Sequence, residues 1–597
     1  MLSKEIRQKF LEFFEMKGHK VVLSSSLIPA DPTVLLTTAG MQQFVPYLSG
    51  ENEPPYRRAC SVQKCFRTAD IDEVGNEIHH TFFEMLGNWS FGDYWKEEAI
   101  NYALELLTTV YQLSLKRLWI TVFKGENDIP RDEEAIELWI KVGISKERIR
   151  EFGMNDNFWG PVELKGPCGP CSEIHYDRGK EFIRNKCSIK NCGPNCNCGR
   201  FMEIWNLVFM EYYKDENTYK LLGQKNIDTG IGFERLVAIL QKKSSAYETD
   251  LFLPFMPDLE LKDFLLKARR IIADHIRGAC FLVADGVLPS REDRGYILRR
   301  ILRRAIRYGR LLKMPKQFLI PIASKVIEIY QDVYPELKQK QNDILTVIQR
   351  EGEQFEKTLE KGLKEFEKKI IQLSNLSLTK LSGEDAFHLY DTYGFPLELT
   401  KEMAKEKKIE VDEEEFKKAF EKHQKISRAG LEKKFGGTGI DKIKDEISKK
   451  KITRLHTATH LLHQALRNTL GNHVKQMGSD INSERLRFDF SHFQKLTEEE
   501  KKRIEELVNQ KIKEDLLVIS KKMDYEKALK DGALAFFKEK YPKIVKVYSI
   551  EKYSKEICAG PHVRSTGEIG RFRIISEKSS GAGIRRIKGR VEEVYSS

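Results

Sequence analysis

The amino-acid sequence predicts an α+β protein of about three or four domains, and three changes of pattern along its 597 residues support this prediction. Residues 1–240 are rich in aromatic residues, glycines and short strand-like runs, which is typical of a mixed α+β domain. Residues 241–435 have helical periodicity. After a linker over 436–451, residues 452–597 combine one helix with alternating strands and a glycine-rich end.

Strand signals in the first domain place an arginine beside aromatic rings. The run 118–123, L-W-I-T-V-F, predicts a strand. Cys65-Phe66-Arg67 and the stretch 80–88 predict two strands joined by a polar loop, presenting Arg67 and aromatic rings to one ligand. The alternative is a hairpin with a surface arginine and buried phenylalanines.

A glycine-rich turn follows later in the same domain. In D-T-G-I-G-F-E-R, which begins at Asp228, Gly230 and Gly232 precede Arg235, and a helical run follows. Glycines let a backbone approach a ligand closely, and a guanidinium binds phosphate well. This pattern indicates a nucleotide site.

The second domain carries an apolar stripe at helical spacing. The stripe consists of Ile344, Ile348, Phe355, Leu359, Leu363, Phe366 and Ile370. It predicts helix packing rather than a cofactor site. The linker after this domain has paired glycines and a lysine-rich run.

Composition limits the class of protein. The net charge of +12 and the charged fraction of 32% favour a polyanionic partner. The chain has no apolar run of about 18 residues, and its start lacks the apolar core of a signal peptide. Its ten cysteines are clustered rather than spread as in a disulfide scaffold. We therefore expect a cytoplasmic protein with no membrane partner.

Two pairs of residues near the C-terminus predict a metal site. His456 and His460 lie in H-T-A-T-H, and Cys558 and His562 lie in C-A-G-P-H. Residues four apart share a face if the segment is helical. Three imidazoles and one thiolate are a suitable tetrahedral set for Zn²⁺. The alternative is a group of core histidines with a buried thiol.

A second group of cysteines lies in the first domain. Cys187, Cys192, Cys196 and Cys198 fall within a glycine- and proline-containing stretch, 187–198. Four thiols in this length predict a structural zinc knuckle. Their spacing is not that of a standard finger, so free thiols are the alternative.

An arginine-rich helix is predicted over residues 291–310, R-E-D-R-G-Y-I-L-R-R-I-L-R-R-A-I-R-Y-G-R. Apolar residues form a seam, and Arg300 and Arg304 belong to the basic remainder. Arginine suits phosphate and A-form RNA, so this helix predicts a nucleic-acid surface. The alternative is a solvated face balanced by acids elsewhere.

Several longer strings identify a family. The chain contains D-T-G-x-G-x-E-R, H-H-T-F-F-E-M-L-G-N, G-P-C-G-P-C-S-E-I, E-I-W-N-L-V-F-M, D-H-I-R, R-G-Y-I-L-R-R and L-Y-D-T-Y-G-F-P. Together with R-L-H-T-A-T-H-L-L-H and L-R-F-D-F-S-H, they resemble the alanyl-tRNA synthetases, from residue 1 to about 589. The resemblance implies a class II antiparallel sheet flanked by helices, a helical tRNA-recognition domain and an α+β editing domain.

The resemblance implies an ATP-dependent ligation of alanine to tRNA(Ala). Arg67 would hold the ATP α-phosphate and Arg235 the γ-phosphate, with Mg²⁺ bridging. Phe83 would stack on adenine, and Asp228 would pair with the ammonium of alanine. The residues expected to shape a pocket for one methyl group are Trp159, Asn206 and Val208.

The resemblance also implies tRNA contacts and editing. The acceptor stem would be read near a G·U pair by Asp391, with Asp293, Arg300 and Arg304 in the same region. Relatives often carry asparagine near Asp293. The histidine–cysteine group would hydrolyse Ser-tRNA and Gly-tRNA, although its loop is C-A-G-P-H rather than the usual C-G-G-T-H.

Other features depart from the family pattern. The loop after Arg67 is shorter and lacks a lysine. The small β-barrel that most relatives place before the first histidine motif is absent, and the chain stops at Ser597 without a coiled coil. We therefore expect a compact, monomeric enzyme. The rival hypotheses are a non-catalytic RNA-binding paralogue and an editing hydrolase with a vestigial activation site.

Overall fold

The structure is a computed structural model. It describes residues 1–31, 33–161, 165–183, 187, 192–194, 196, 198–216, 218–256, 263–423, 445–471, 474–492, 494–535, 542–581 and 584–592. Two units are distinguished by their internal contacts. One contains residues 1–381 and 388–410, and the other contains 382–387 and 411–597.

Between residues 1 and 411 the strands are β1 (Lys20–Val21), β2 (Arg58–Phe66), β3 (Phe82–Phe91), β4 (Leu118–Phe123), β5 (Ile149–Phe152), β6 (Phe158–Trp159), β7 (Gly166–Asp177), β8 (Phe201–Asp215), β9 (Thr218–Gly232), β10 (Lys380–Leu381) and β11 (Glu410–Val411). The helices up to residue 406 are α1 (Ser3–Met16), α2 (Val45–Leu48), α3 (Lys96–Leu104), α4 (Glu133–Lys141), α5 (Met154–Asn157), α6 (Phe233–Leu240), α7 (Asp263–Ala284), α8 (Asp293–Leu311), α9 (Leu319–Tyr330), α10 (Pro335–Gln339), α11 (Gln341–Asn375), α12 (Gly383–Tyr393) and α13 (Leu397–Glu406).

One nine-stranded sheet organises the first unit. Its order is β1-β2-β3-β9-β8-β7-β4-β5, and β6 pairs with β7. The central pairs are antiparallel, as expected, whereas β1–β2 and β4–β5 at the two ends are parallel. The two strands predicted at Cys65-Phe66-Arg67 and within 80–88 are present as the antiparallel pair β2 and β3, with Arg67 directly after β2.

The helical prediction for the second part of the chain is confirmed. The stripe that begins at Ile344 lies on α11, and Ile344, Phe355 and Phe366 are each at most 2% exposed. The arginine-rich segment forms α8. The long helices α7, α8, α9 and α11 pack against one another.

Buried charges join α1, α6 and α7 to strand β3. Arg277 donates to Glu234 Oε1 at 2.9 Å and also bonds the Phe82 carbonyl. Arg7 donates to Glu84 from Nε at 2.8 Å and from Nη2. Glu234 accepts a hydrogen bond from the Glu84 backbone N–H at 3.2 Å. Arg277, Glu234 and Glu84 are at most 1% exposed, so two carboxylates are neutralised by two guanidinium groups inside the protein.

The second unit is α+β. After residue 445 its helices are α14 (Glu446–Leu470), α15 (Glu498–Lys513) and α16 (Tyr525–Lys530). Its strands are β12 (Gln476–Ile481), β13 (Leu486–Ser491), β14 (Val518–Asp524), β15 (Ile544–Ile550), β16 (Ser554–Ile557), β17 (Arg571–Gly581) and β18 (Ile584–Glu592). They form a four-stranded sheet, β12-β13-β18-β17, and a three-stranded sheet, β14-β15-β16. Leu461 of α14, Phe488 of β13 and Ile504 of α15 meet in one core.

The predicted linker lies mostly outside the described residues. Its last six residues, 446–451, are the first turns of α14. The predicted domain boundary near residue 240 stays a prediction. In the described part of the chain, none of the helices is both long enough and apolar enough to cross a membrane.

The buried charge network gives a stability prediction. Glu234→Gln leaves Arg277 buried without its charge partner, so we expect a loss of about 3–5 kcal/mol. The midpoint of the first urea-unfolding transition should fall. Glu328→Gln is the matched control, because Glu328 and Lys325 are 62% and 50% exposed and such a pair is worth about 0–1 kcal/mol. Equal midpoints for the two variants would contradict the importance of the network.

Candidate functional site

Three neighbouring strands build the centre of the first candidate site. Asp228 on β9 lies opposite Trp89 on β3 and opposite Val208 on β8. The Trp89 indole N–H donates to Asp228 Oδ1 at 2.6 Å. Asp228 is 5% exposed. The sheet register thus holds one carboxylate between an indole and an aliphatic side chain.

The carboxylate of Asp228 is buried without a cation. Burial raises the pKa of Asp228 to about 7, although the hydrogen bond from Trp89 acts in the opposite direction. No Lys, Arg or His lies within 4.0 Å of its oxygens in the part of the chain that the structure describes. A buried carboxylate without a partner is costly unless a bound cation completes it. The site therefore suits a small ligand with an ammonium group.

A cluster of apolar side chains adjoins this carboxylate. Val208 packs with Trp89 and Cys171, and Trp159 packs on the same cluster. Asn206 lies opposite Gly230, and its Nδ2 donates to Glu173 at 3.4 Å. Trp159, Asn206 and Val208, predicted to shape one pocket, are thus brought together.

Glycines leave room for the side chains of this cluster. A Cβ at Gly230 would lie 2.8 Å from Met85 Sδ, and a Cβ at Gly87 would lie 2.3 Å from the Trp89 ring. A Cβ at Gly232 would meet only ordinary contacts, at 3.4 Å or more. The steric requirement for glycine is therefore at Gly87 and Gly230, and it concerns side-chain packing.

Arginines approach the same end of the sheet. Arg235, in the first turn of α6, donates to Glu203 Oε2 at 2.8 Å. The Arg67 guanidinium lies 4.8 Å from the centre of the Phe83 ring. Burial would raise the pKa of Glu203, but Arg235, His175 and Arg67 outweigh it and lower that pKa. The result is a cationic site with one ionised carboxylate, which fits a polyphosphate and a divalent cation.

The arginine-rich helix differs from the prediction. Arg303, Arg304 and Arg307 of α8 are only 3–5% exposed. Arg304 donates to both oxygens of Glu402, at 2.9 and 2.8 Å, and the other two pair with Glu351 and Glu406. Acids of α11 and α13 thus neutralise this face inside the protein, and the tRNA contact expected of Arg304 stays a prediction. Arg300 is partly exposed and pairs with Asp72 at 2.6 Å.

A cleft opens beside the exposed part of α8. It has a volume of about 140 Å³, and Arg291, Arg299, Tyr390 and Asp391 are among its lining residues. Asp391 is exposed. Asp293 is also exposed, at the start of α8 with φ +54°. The tRNA contacts of Asp293, Arg300 and Asp391 stay predictions.

The predicted metal ligands of the second unit meet at one point. The ligand atoms of His456, His460, Cys558 and His562 all lie within 4.8 Å of one another. His456 Nε2 is 3.3 Å from Cys558 Sγ. A tetrahedral zinc site with bonds of about 2.0–2.3 Å places its ligand atoms about 3.5 Å apart. His456 and His460 lie on α14, as predicted. Cys558 and His562 lie in a loop after β16 rather than on a helix.

Neighbouring groups orient these ligands. Glu556 Oε2 lies 2.7 Å from His460 Nδ1, and its Oε1 lies 2.9 Å from His463 Nδ1. Thr457 Oγ1 lies 3.2 Å from His562 Nδ1. The Nε2 atoms of His460 and His562 are thereby left for a metal, as in many carboxylate–histidine–metal arrangements. His562 Nε2 is buried without a protein partner within the described residues.

The cysteine of this group is held as a thiolate. Burial would raise the pKa of Cys558, but the neighbouring imidazoles of His456, His460 and His562 outweigh burial and lower it to about 3. The thiolate is the form that ligates metals. Gly560 packs directly against the His456 ring. A Cβ at this position would lie 1.9 Å from His456 Cε1, so a larger residue would displace the ring. The donor set, its spacing and its orphaned nitrogen therefore fit Zn²⁺.

The four cysteines of the first unit also meet. The Sγ atoms of Cys187 and Cys196 are 3.5 Å apart, as are those of Cys192 and Cys198. All four lie within 4.8 Å of one another. This arrangement fits a tetrahedral thiolate site.

Sequence reasoning missed several contributing residues. Trp89 follows a recognised string directly, but only the β3–β9 register shows that its indole reaches Asp228. Glu203 and Glu556 lie close in sequence to predicted site residues, at Asn206 and Cys558. An acid this near to a ligand residue is the one signal that could have found them.

Two family models match this chain. A family model described as tRNA synthetases class II (A) matches residues 5–470. Another, described as the threonyl and alanyl tRNA synthetase second additional domain, matches residues 545–588. The fold and the site define a class II aminoacyl-tRNA synthetase, as the sequence predicted.

Comparison with curated relatives shows to which family of class II synthetases the chain belongs. The chain is 49% identical to the alanine--tRNA ligase of Treponema denticola, over 98% of each chain. It is 48% identical to that of Borreliella afzelii, over 98% of this chain and 99% of the relative. The chain therefore belongs to the alanine--tRNA ligase family.

The compact form is shared by these relatives. The alanine--tRNA ligase of Carboxydothermus hydrogenoformans is 41% identical over 98% of this chain, but only 80% of that relative is covered. More than a hundred of the 709 aligned positions have no counterpart in this 597-residue chain. The Treponema and Borreliella proteins match almost end to end, so the short form recurs among them.

The contact at Gly560 yields a prediction about metal binding. Gly560→Ala places a methyl group against the His456 ring, so His456 should be displaced and zinc content should fall well below that of the parent. Zinc per chain would be measured by atomic emission. Ala559→Ser is the control, because Ala559 is exposed. Full zinc occupancy in Gly560→Ala would refute the described geometry.

Proposed function

We propose that this chain uses ATP to attach alanine to tRNA(Ala), and that it hydrolyses tRNA(Ala) mischarged with serine or glycine. The observation that carries the first activity is the buried carboxylate of Asp228. It has no protein cation among the described residues, and it borders a cluster of apolar side chains that includes Val208 and Trp159. Alanine supplies an ammonium and a single methyl.

The activation step needs no protein nucleophile. A carboxylate oxygen of alanine attacks the α-phosphorus of ATP, and the bond from that phosphorus to the bridging oxygen breaks, releasing pyrophosphate. Arg67 and Arg235 stabilise the charge on the phosphate oxygens. Glu203 would help to hold Mg²⁺, which neutralises pyrophosphate when bound. A ribose hydroxyl of the tRNA then attacks the carbonyl carbon, and AMP leaves.

Editing follows from the limits of the first pocket. A difference of one methylene or hydroxyl is worth only about 1–3 kcal/mol, so glycine and serine are poorly rejected. His456, His460, Cys558 and His562 would hold Zn²⁺ in a second site, where it supplies Lewis-acid chemistry for ester hydrolysis. Glu556 and Thr457 keep two of these imidazoles in the required orientation.

Two further assignments belong to this proposal. Cys187, Cys192, Cys196 and Cys198 would hold a structural zinc ion. The cleft that contains Asp391 would receive the acceptor stem, with Arg299 and Arg300 nearby. We retain the expectation of a cytoplasmic monomer. A non-catalytic paralogue would not need the unpaired carboxylate of Asp228.

Alanine-dependent exchange of pyrophosphate into ATP tests activation. Arg235→Ala should reduce exchange at least a hundredfold, because it removes a charge that stabilises the reacting phosphates, roughly 2.7 kcal/mol or more. Arg131→Ala is a control, since Arg131 pairs with Glu151 at the surface. Unchanged exchange in Arg235→Ala, with an unchanged unfolding midpoint, would rule out the assignment.

The pH dependence of exchange tests the role of Asp228. Its pKa is raised to about 7, and only the ionised form can pair with an ammonium. The kcat/KM for alanine should therefore be constant above pH 7 and fall towards tenfold per unit below it. Trp89→Phe removes the hydrogen bond that lowers this pKa, so the fall should move to higher pH. A profile that is identical in both proteins would contradict the pairing.

Hydrolysis of Ser-tRNA(Ala) tests editing. Cys558→Ala or His460→Ala should abolish deacylation and leave alanine-dependent exchange intact, because the two sites lie in different units. Ser-tRNA should then accumulate in charging reactions that contain serine. Normal deacylation by the double variant would show that the group has a structural role only.

A further inference from the structure

A second cleft adjoins the histidine–cysteine group. The first turns of α14 and the segment 562–568 border it, and its volume is about 510 Å³. This volume lies within the range of about 300–1,000 Å³ that is usual for ligand sites. His562 is one of the lining residues, so an occupant of the cleft would lie beside the candidate metal.

The charges around this cleft are mostly positive. Its cationic lining residues are Lys449, Lys450, Arg454 and Arg564, and its acidic ones are Glu446 and Glu568. Glu446 pairs with Lys449 at 2.8 Å. Glu568 accepts hydrogen bonds from the backbone N–H groups of Arg564 and Ser565, at 3.1 and 3.3 Å. Both acids are thus used locally, and the remaining cations give the cleft a positive potential.

Two of these cations are unpaired. Lys450 and Arg564 are exposed, and neither has a carboxylate within 4.0 Å among the residues that the structure describes. They differ from Arg303 and Arg304 of α8, which are buried and pair with Glu351 and Glu402 of their own unit. Lys450 and Arg564 are therefore available to an anionic ligand.

The distance between Lys450 and the metal ligands indicates which kind of anion the cleft would bind. Lys450 precedes His456 by six residues on one helix, which corresponds to about 9 Å along its axis. An aminoacyl ester on the terminal ribose of a tRNA has phosphates at its own and the preceding nucleotide. A positively charged groove that follows the backbone is the usual solution for a single-stranded end.

We infer that this cleft binds the phosphates of the last nucleotides of the mischarged tRNA and so positions its ester at the histidine–cysteine group. Lys450 and Arg564 are the positioning residues, through charge-assisted hydrogen bonds to phosphate oxygens. This inference rests on the proposed editing function, and it adds the surface that holds the substrate.

Steady-state hydrolysis of Ser-tRNA(Ala) by the full chain at several KCl concentrations tests the inference. Lys450→Glu and Arg564→Glu should each raise KM about tenfold, the equivalent of one charge-assisted contact, with kcat changed less than about twofold. The salt slope of log(kcat/KM) should become shallower by about 0.7 per lost phosphate contact. Lys451→Glu is the matched control, because it is exposed on the same helix but does not line the cleft.

The outcomes separate the cleft from the editing function itself. The parent protein could hydrolyse Ser-tRNA while both charge reversals behave like Lys451→Glu. That result would rule out phosphate binding in the cleft and leave the editing function intact. If the parent does not hydrolyse Ser-tRNA, the editing function fails. Crosslinking of tRNA ending in 8-azidoadenosine then tests whether the end of the tRNA binds in the cleft. Adducts on residues 446–454 or 562–568 would support it, and adducts only elsewhere would overturn it.

Discussion

The balance of buried charge around strand β3 is the constraint on which the first unit depends. Glu84 and Glu234 can be buried because Arg7 and Arg277 neutralise them, and Tyr334 donates a further hydrogen bond to Glu84 at 2.9 Å. Such groups are costly to bury and more costly to leave unpaired, so the elements that carry them must stay together. This fixes α6 against β3 and hence the position of Arg235, one residue beyond Glu234, at the end of the sheet.

Asp228 differs from the carboxylates of that network in the kind of partner it has. It lies on the adjacent strand and is only 5% exposed, yet its hydrogen-bond partner is a neutral indole. A protein that neutralises Glu84 with Arg7 and Glu234 with Arg277 does not lack cations for its interior. A buried carboxylate left without a cation among the described residues marks a position where a ligand supplies the missing charge. Strand β3 therefore carries a carboxylate that stabilises the fold, Glu84, and the adjacent strand β9 carries one that is available to a ligand, Asp228.

Local patterns were predicted well from the sequence, and long-range pairings were not. The α11 stripe, the β2–β3 hairpin and the histidine helix follow from periodicity over a few residues. The burial of Arg304 could not be foreseen, because its partner, Glu402, lies 98 residues away. An arginine-rich helix looks solvent-facing until the acids of another helix are placed against it. Cys558 and His562 met the histidines as predicted, but on a loop, where Gly560 and Pro561 disfavour a helix.

The altered loop C-A-G-P-H can be understood from the space around each residue. Cys558 and His562 are fixed by their contact with α14. Gly560 is fixed because a Cβ there would lie 1.9 Å from the His456 ring. Ala559, in contrast, is exposed, so a methyl group at that position meets no steric limit. Of the two positions that depart from the usual family pattern, neither supplies a ligand atom to the group. The departure at Ala559 therefore falls where the chain can vary without moving the four ligands.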